Sequence, residues 1–403
     1  MLFSFSLKSS VLLIFFLHGI VFSTLLFIKG VQNESKSSLW LSLFTFLCSL
    51  YIAPFMFGYA GWYSQQPYRN ILFYIPFQQL FLLPPVLYFY FKTLLDKSFL
   101  FSKKDYIHFI PAIIYLFYSV TVFLTDKVIL NEYFFYADGK DKDFSNWYQI
   151  AGLFSLSYYL IKSLTTYYKY KTITYNVVSF ADSVMFKWAN RFLVAFLLLI
   201  AIRILFFIIN PEWDEFGKKF WYYVCFSILF YYISISGYTN SILSATSFKD
   251  SAKNTEAELK SETDILIEPE HTLTGLENET LVEKNEIQDF DTWKENIENL
   301  MVVEKMYENP ELIISDISKK LATHSKKISQ VINQGFNMNF NDYVNNHRIK
   351  ALLRKIDQGE HNIQTLLSLA FECGFNSKST FNRAFKRATS LNPKEYIEKH
   401  YPK

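Results

Sequence analysis

A stretch near the C-terminus, LAFECGFNSKSTFNRAFKR (residues 369–387), spaces hydrogen-bonding side chains at helical intervals. Gly374 supplies a position where a positive φ is easy, and Ser377 is a suitable N-cap for the helix that follows. One side of that helix is expected to be buried, through Phe381, Ala384 and Phe385. The other side carries side chains that bind phosphates or base edges: Lys378, Ser379, Asn382, Arg383 and Lys386. A helix that enters the major groove of DNA needs this division.

A weaker copy of the pattern lies 48 residues earlier, measured between Ala322 and Ala370. Its first helix has an N-cap region at Ser315 and an apolar repeat of Ile314, Ile317 and Leu321. After the break THS, a short helix is expected to bury Ile328, Val331 and Ile332 and to expose Lys326, Lys327, Gln330 and Asn333. The first helix of the later copy is expected to bury Ile363, Leu367, Ala370 and Phe371. The sequence therefore predicts two helix–turn–helix units, joined by an amphipathic helix over residues 340–356.

Charge separates this end of the chain from the segment before it. Beyond residue 311, fifteen Lys and Arg face seven Asp and Glu, a net of +8. From Asp250 to Asp291, thirteen Asp and Glu face three Lys, a net of −10, and apolar residues show no period. The acidic segment is therefore predicted to be a flexible tether. A sharper hypothesis is that it competes with DNA for the basic domain that follows.

The N-terminal half has the composition of a membrane protein. The whole chain is 51% hydrophobic and 19% aromatic, with Phe and Tyr concentrated before about residue 240. Seven windows are long and apolar enough to span a bilayer: 7–28, 39–58, 71–92, 107–125, 147–165, 189–209 and 219–238. Lys and Arg favour the first, third and fifth loops, which places those loops in the cytoplasm, the N-terminus outside and the C-terminus inside. If the first span were cleaved as a signal peptide, six spans would remain and the C-terminus would lie outside. The first span is therefore predicted to be retained.

Polar side chains inside the windows are candidates for binding a signal, because they are costly in lipid. Four stand out: Arg203, His18, Gln78 and Gln79. Arg203 has four possible roles. It could bind an anionic ligand, pair with an outer-loop carboxylate such as Glu212 or Asp214, extend its charge to the membrane surface, or bond backbone carbonyls within the bundle. The prolines Pro84, Pro85 and Pro111 predict kinked spans.

Motifs for catalysis or metal binding are missing from the sequence. No P-loop, GxGxxG or HExxH pattern occurs, and no span carries paired carboxylates. Cys48, Cys225 and Cys373 form no CxxC pair and have no ligand-spaced histidines beside them. The chain is therefore predicted not to be an enzyme and to need no cofactor or metal.

The stretch FNDYVNNHRIKALL, followed by LLSLAFECGFNSKSTFNRAFKRATSLNPKEYIEK, resembles the DNA-binding domain of AraC/XylS transcription regulators. The resemblance covers about residues 293–401 and implies seven helices that present two reader helices to successive major-groove segments. It implies DNA contacts from the first reader at Lys326, Lys327, Gln330 and Asn333, and from the second at Lys378, Ser379, Thr380, Asn382, Arg383 and Lys386. Two positions depart from the family: Ser390 replaces a usual Gly, and Gln330 a frequent Arg. The combination with many spans is similar to a membrane-bound variety associated with Bacteroidetes-like bacteria.

Together these patterns predict an all-α protein with three parts. Residues 1–245 form a seven-span sensor domain, 246–290 an acidic linker, and 291–403 a double helix–turn–helix domain. The predicted function is transcription regulation from the cytoplasmic membrane, with promoter DNA and the lipid bilayer as partners. A small-molecule ligand, RNA polymerase and a second copy of the chain are further partners left open. The alternatives are a transporter-like or anchor-only membrane domain that carries a regulatory DNA-binding appendage.

Overall fold

The computed structural model describes residues 4–96, 99–184, 187–209, 219–247 and 289–401. These residues form sixteen α-helices, and no β-strand occurs among them. The chain divides into two compact units. The first comprises Met1–Tyr168 and Phe186–Asp250, and the second comprises Lys169–Met185 and Ser251–Lys403. The predicted all-α class is confirmed for the described residues.

Nine helices come from the N-terminal part of the chain. They are α1 (Leu7–Gln32), α2 (Lys36–Tyr59), α3 (Tyr68–Leu72), α4 (Leu83–Leu95), α5 (Ile110–Leu124), α6 (Asn146–Val177), α7 (Ala181–Val184), α8 (Lys187–Ile209) and α9 (Phe220–Ser247). Short 3-10 helices lie at Trp62–Ser64, Lys103–Phe109 and Lys142–Phe144, and a π-helix at Thr125–Ile129. The end of α6 and the whole of α7 belong to the second unit.

Among the described residues, five helical segments are long and apolar enough to cross a membrane. They are Leu7–Gln32, Lys36–Tyr59, Lys103–Ile129, Ala189–Ile209 and Phe220–Asn240. The predicted window 147–165 lies in α6, which is not one of the five. The predicted window 71–92 is not a continuous helix, because α3 ends at Leu72 and α4 begins at Leu83. A count of seven spans is therefore not confirmed and stays a prediction.

The break between α3 and α4 is supported by side chains from elsewhere in the first unit. The amide of Gln78 donates to Asp143 Oδ2 (2.9 Å), and the amide of Leu80 donates to the Tyr148 hydroxyl (3.1 Å). Burial raises the pKa of Asp143, and its hydrogen bonds act in the opposite direction. Non-helical backbone in an apolar bundle requires such partners.

The predicted kinks at three prolines are wrong. Pro84 and Pro85 lie in the first turn of α4, and Pro111 lies in the first turn of α5. A proline there removes no helical hydrogen bond, since the first amides of a helix have no partner within it. These prolines therefore begin helices instead of bending them.

The second unit contains α10 (Phe290–Val302), α11 (Ile314–Lys320), α12 (Ser325–Phe336), α13 (Phe340–Asp357), α14 (Leu366–Glu372), α15 (Lys378–Thr389) and α16 (Pro393–His400). Short 3-10 helices lie at Met306–Glu308 and Glu360–Asn362. Helix α13 serves two hydrophobic cores. Phe340 and Val344 pack in the core of the first helix–turn–helix unit, and Ile349 and Leu352 pack in that of the second.

Segment Lys169–Met185 belongs to this second unit, although its sequence predicts only a loop between two spans. Val178 forms an isolated antiparallel bridge with Ile313, and Val177, Phe180 and Ala181 lie in the core of the first helix–turn–helix unit. Residues 250–288 of the acidic segment lie outside the described residues. The hypothesis that it competes with DNA falls on those residues and stays a prediction.

Candidate nucleic-acid interface

The predicted first reader helix is α12, and the residues that it buries are the predicted ones. Ile328, Val331 and Ile332 are fully buried. Lys326 and Asn333 are exposed, whereas Lys327 and Gln330 are half-buried. The ammonium of Lys327 lies 3.8 Å from the centroid of the Trp293 ring, a cation–π contact with α10. On the polar face of α12, two of the four predicted contacts are therefore accessible to DNA and two are only partly accessible.

The predicted second reader helix is α15, and Ser377 is its N-cap. The Ser377 hydroxyl accepts a hydrogen bond from the amide of Thr380 (3.2 Å) and lies 2.8 Å from the Thr380 hydroxyl. Phe381 and Phe385 are buried. Five predicted contacts are exposed: Lys378, Ser379, Asn382, Arg383 and Lys386. Thr380 is only 1% exposed, so this predicted contact lies on the buried side of the helix.

Left-handed backbone occurs in the turn before α15 and again at the end of α15. Gly374, in the turn before α15, has φ +92°. A Cβ there would lie 2.3 Å from the carbonyl oxygen of Tyr307, so Gly is required for conformation and for space. Ser390 ends α15 with φ 64°, and its amide donates to the Lys386 carbonyl (2.8 Å). The departure from Gly at this position leaves a serine in a conformation that glycine adopts more easily.

The predicted apolar stripe of the helix before this turn is partly wrong. Ala370 is buried, but Ile363 is 85% exposed and Phe371 is 47% exposed. The reason is that α14 begins only at Leu366, so Ile363 precedes the helix and does not continue its stripe. Leu369 supplies the missing core contact, together with residues after the helix.

Arg348 on α13 contributed to the basic charge of the sequence, but it is fully buried. Its guanidinium donates to the carbonyls of Tyr307 (2.8 Å) and Asn309 (2.6 Å), and to the Asn345 side chain (3.2 Å). It also donates to the Ser179 hydroxyl (3.0 Å). Burial lowers the pKa of Arg348. This cation therefore holds the domain together and is not available to DNA.

Other basic side chains of the second unit have acidic neighbours. Arg383 pairs with Asp182, and Arg387 pairs with Asp342. Lys355 lies 2.8 Å from Glu372 and also contacts Glu360, and these hydrogen bonds raise the pKa of Lys355. The net charge of +8 already counts Asp342, Glu360 and Glu372, so it is the pairing of Arg383 with Asp182 and the burial of Arg348 that lower the positive charge facing solvent.

The candidate signal-binding residues fall into separate groups. Arg203 donates to the side chain (2.9 Å) and the carbonyl (3.1 Å) of Gln149. Gln149 in turn donates to the side chain of Gln78 (2.7 Å). Gln79 donates instead to the Pro76 carbonyl (2.6 Å). His18 lies elsewhere in the unit, with its Nε2 2.6 Å from the hydroxyl of Ser234.

The link between Arg203 and Gln78 is Gln149, which is not among the four predicted signal-binding residues. Gln149 lies in the first turn of α6, at the edge of a predicted window, so its polarity gave no signal. Arg203 also lines a small cavity with Tyr51 and Tyr222, with a volume of about 30 Å³, room for a water molecule. The proposed partners Glu212 and Asp214 lie outside the described residues.

Within the described ranges, no group of His, Cys, Asp and Glu could hold a metal ion. The three cysteines are free thiols. The expected absence of a cofactor stays a prediction.

Residues 317–399 match a family model described as "Helix-turn-helix domain", which is of the AraC type. No curated protein matches the chain, and no solved structure does. The match covers both reader helices and α13, and it leaves the first unit unassigned. Residues 317–399 are therefore similar to helix–turn–helix domains of the AraC type, and that similarity is what the comparisons give for this chain.

Proposed function

We propose that this protein is a membrane-bound, sequence-specific DNA-binding transcription regulator. The observation that carries the proposal is a pair of helices, α12 and α15. Both lie within the residues that match a helix–turn–helix family. Each buries an apolar side against the domain and leaves polar side chains exposed. That division is what major-groove binding needs.

The proposed DNA contacts are Lys326, Lys327, Gln330 and Asn333 from the first reader and Lys378, Ser379, Asn382, Arg383 and Lys386 from the second. The buried Thr380 is not among them. Lysines at helix starts suit phosphates, whereas Asn and Arg suit base edges. RNA polymerase and a second copy of the chain stay predicted partners.

Arg383→Ala is expected to weaken binding to promoter DNA. If Arg383 reads a base, the loss is about 1–3 kcal/mol and specificity relaxes at one position. If it holds a phosphate, binding weakens uniformly and the salt slope falls by about one. The measurement is a gel shift of the full chain in nanodiscs on the region upstream of its own gene. Arg354→Ala, an exposed Arg on α13, is the control. Equal affinities for upstream and scrambled DNA would contradict a specific regulator.

The membrane half is proposed to be the sensor, in the cytoplasmic membrane with the C-terminal domain inside. The five apolar helices support a membrane location, and the Lys and Arg bias of the loops supports the orientation. Arg203, Gln149 and Gln78 form a chain of hydrogen bonds, which we name the polar chain. This polar chain is the favoured place for a signal to act. A buried arginine in an apolar bundle is costly and is often functional.

Arg203→Leu is therefore expected to change transcription from the target promoter. The substitution removes the cation that holds Gln149 and so alters the polar chain without touching the DNA-binding unit. The measurement is promoter activity in a reporter strain, with variant and wild type matched for the amount of protein in the membrane. Unchanged activity at matched amounts would favour the anchor-only alternative.

A further inference from the structure

A segment between the fifth and sixth predicted spans lies in the DNA-binding unit. Val178 and Ser179 are completely buried there, although more than a hundred residues separate them from α10. The amide of Ser179 donates to the Leu312 carbonyl (3.1 Å). Its carbonyl accepts from the side chains of Asn341 (2.8 Å) and Asn345 (3.3 Å). These contacts anchor the segment in the domain.

Residues on either side of this anchor contact the second reader helix. The carboxylate of Asp182, in the first turn of α7, pairs with Arg383. Tyr175, in the last turn of α6, donates its hydroxyl proton to Asp182 Oδ1 (2.9 Å) and accepts a hydrogen bond from Arg383 (2.6 Å). The Arg383 guanidinium also lies 5.3 Å from the Tyr175 ring centroid. We name Tyr175 and Asp182 the clasp.

A third contact reaches the start of the same reader helix. The Ser183 hydroxyl lies 3.0 Å from Asn376 Oδ1 and 3.3 Å from the hydroxyl of the N-cap Ser377. The segment therefore touches both the beginning of α15 and the arginine in its middle. Arg383 is one of the proposed DNA contacts, and Ser377 directly precedes another, Lys378.

The clasp is more exposed to solvent than the anchoring residues Val178 and Ser179, because its partner Arg383 is on the surface. The Arg383 side chain is 48% exposed, while that of Asp182 is 2% exposed. The second carboxylate oxygen of Asp182 is buried without a hydrogen-bond partner among the described residues. A buried oxygen without a partner costs free energy, so the contact is poorly satisfied on the Asp182 side. Arg383 can exchange this carboxylate for a phosphate or a guanine edge, which its planar guanidinium fits equally well.

We propose that the clasp competes with DNA for Arg383, so that the segment between the fifth and sixth predicted spans restrains the second reader helix. The inference rests on the proposed function. Arg383 is either paired with Asp182 or in contact with DNA, and binding to DNA requires the clasp to open. Because Tyr175 belongs to the last turn of α6, displacement of that turn opens the clasp. The same chain segment thus joins a predicted span to a DNA-reading side chain.

Asp182→Asn tests the proposal with little change in shape. In the full chain in nanodiscs, the variant is expected to bind the region upstream of the gene roughly two- to ten-fold more tightly, because Arg383 is released from a carboxylate. The slope of affinity against salt is expected to steepen by about one, since one more cation reaches DNA. Tyr175→Phe, which removes only the bridging hydroxyl, is expected to act in the same direction and more weakly.

Glu398→Gln is the matched control. Glu398 lies on α16, is exposed and pairs with Lys394, so the variant loses the same charge far along the chain from the clasp. It is expected to leave affinity and salt slope unchanged. Equal strengthening by this control would overturn the clasp in favour of a general charge effect.

The outcomes separate the two proposals. If wild type does not prefer its upstream DNA over scrambled DNA, the proposed function fails and the clasp with it. If wild type shows the preference and Asp182→Asn binds with the same affinity and slope, only the clasp fails. Weaker binding by Asp182→Asn and Tyr175→Phe also overturns competition, since the clasp would then hold Arg383 in its DNA-binding position.

Discussion

Replacing Arg348 by methionine is expected to destabilise the DNA-binding unit by on the order of 3–5 kcal/mol, because several buried acceptors lose their hydrogen-bond donor together. The side chain is fully buried and holds two backbone carbonyls of one segment, at Tyr307 in the 3-10 helix Met306–Glu308 and at Asn309, which follows it. Methionine fills much of the volume but donates no hydrogen bond. Each buried carbonyl that loses its partner costs about 1–3 kcal/mol. The Ser179 hydroxyl loses a partner as well, so the anchored segment is expected to be held less firmly, although its contacts with Leu312, Asn341 and Asn345 remain.

Urea-dependent pulse proteolysis of the full chain in nanodiscs measures this loss. The midpoint for cleavage within residues 289–401 is expected to fall steeply, because cleavage follows the population of the unfolded unit. Arg354→Met is the control, as Arg354 lies on the same helix and is exposed. A loss below about 1 kcal/mol for Arg348→Met would show that the carbonyls find other partners.

The sequence predicts the reader helices well because their determinants are local. Ser377 caps α15 as expected, and Gly374 has the positive φ that the turn needs. The burial of Ile328 and Phe381 follows from helical spacing alone. Each of these features depends on residues within a few positions, so one sequence is enough to find it.

The missed features depend on residues that are distant along the chain. Arg348 is an unremarkable basic residue in a helix until Tyr307 and Ser179 bring acceptors to it. Segment Lys169–Met185 has the Lys content of an ordinary cytoplasmic loop, and nothing in its spacing shows that Val178 packs in another domain. Long-range packing of this kind leaves no period in the sequence.

The predicted spans also depend on contacts between residues that are distant along the chain. Hydropathy identifies apolar windows, but it does not distinguish one helix from a helix, a break and a second helix. The window 71–92 is broken because Asp143 and Tyr148 supply partners for the backbone of Gln78 and Leu80. Those partners lie more than sixty residues further along the chain.

Gly374→Ala is expected to be nearly as damaging as the loss of Arg348, at about 3 kcal/mol or more. A left-handed conformation costs a non-glycine residue about 1–2 kcal/mol by itself. The added Cβ would also lie 2.3 Å from the Tyr307 carbonyl oxygen and 2.8 Å from that of Glu308. Both are backbone atoms, so relief requires the loop to move.

Gly359→Ala separates these two costs. Gly359 has φ +81°, close to the +92° of Gly374, but its added Cβ would meet nothing nearer than Asn362 Nδ2 at 3.8 Å. It is therefore expected to cost only the conformational part, about 1–2 kcal/mol. The same pulse-proteolysis midpoints measure both variants. Equal losses would show that the close approach of the turn to Tyr307 is not tight.

The two large effects are also expected to be coupled. The Tyr307 carbonyl that a Cβ at Gly374 would displace is the acceptor of the Arg348 Nε hydrogen bond (2.8 Å). Residues that share a partner show non-additive losses, so the double variant Gly374→Ala with Arg348→Met should lose less than the sum of the single variants. Additive losses would mean that the turn and the buried arginine act on the domain independently. A loss smaller than the sum would mean that the Tyr307 carbonyl links the turn before α15 to Arg348, and through Arg348 to the anchored segment at Ser179.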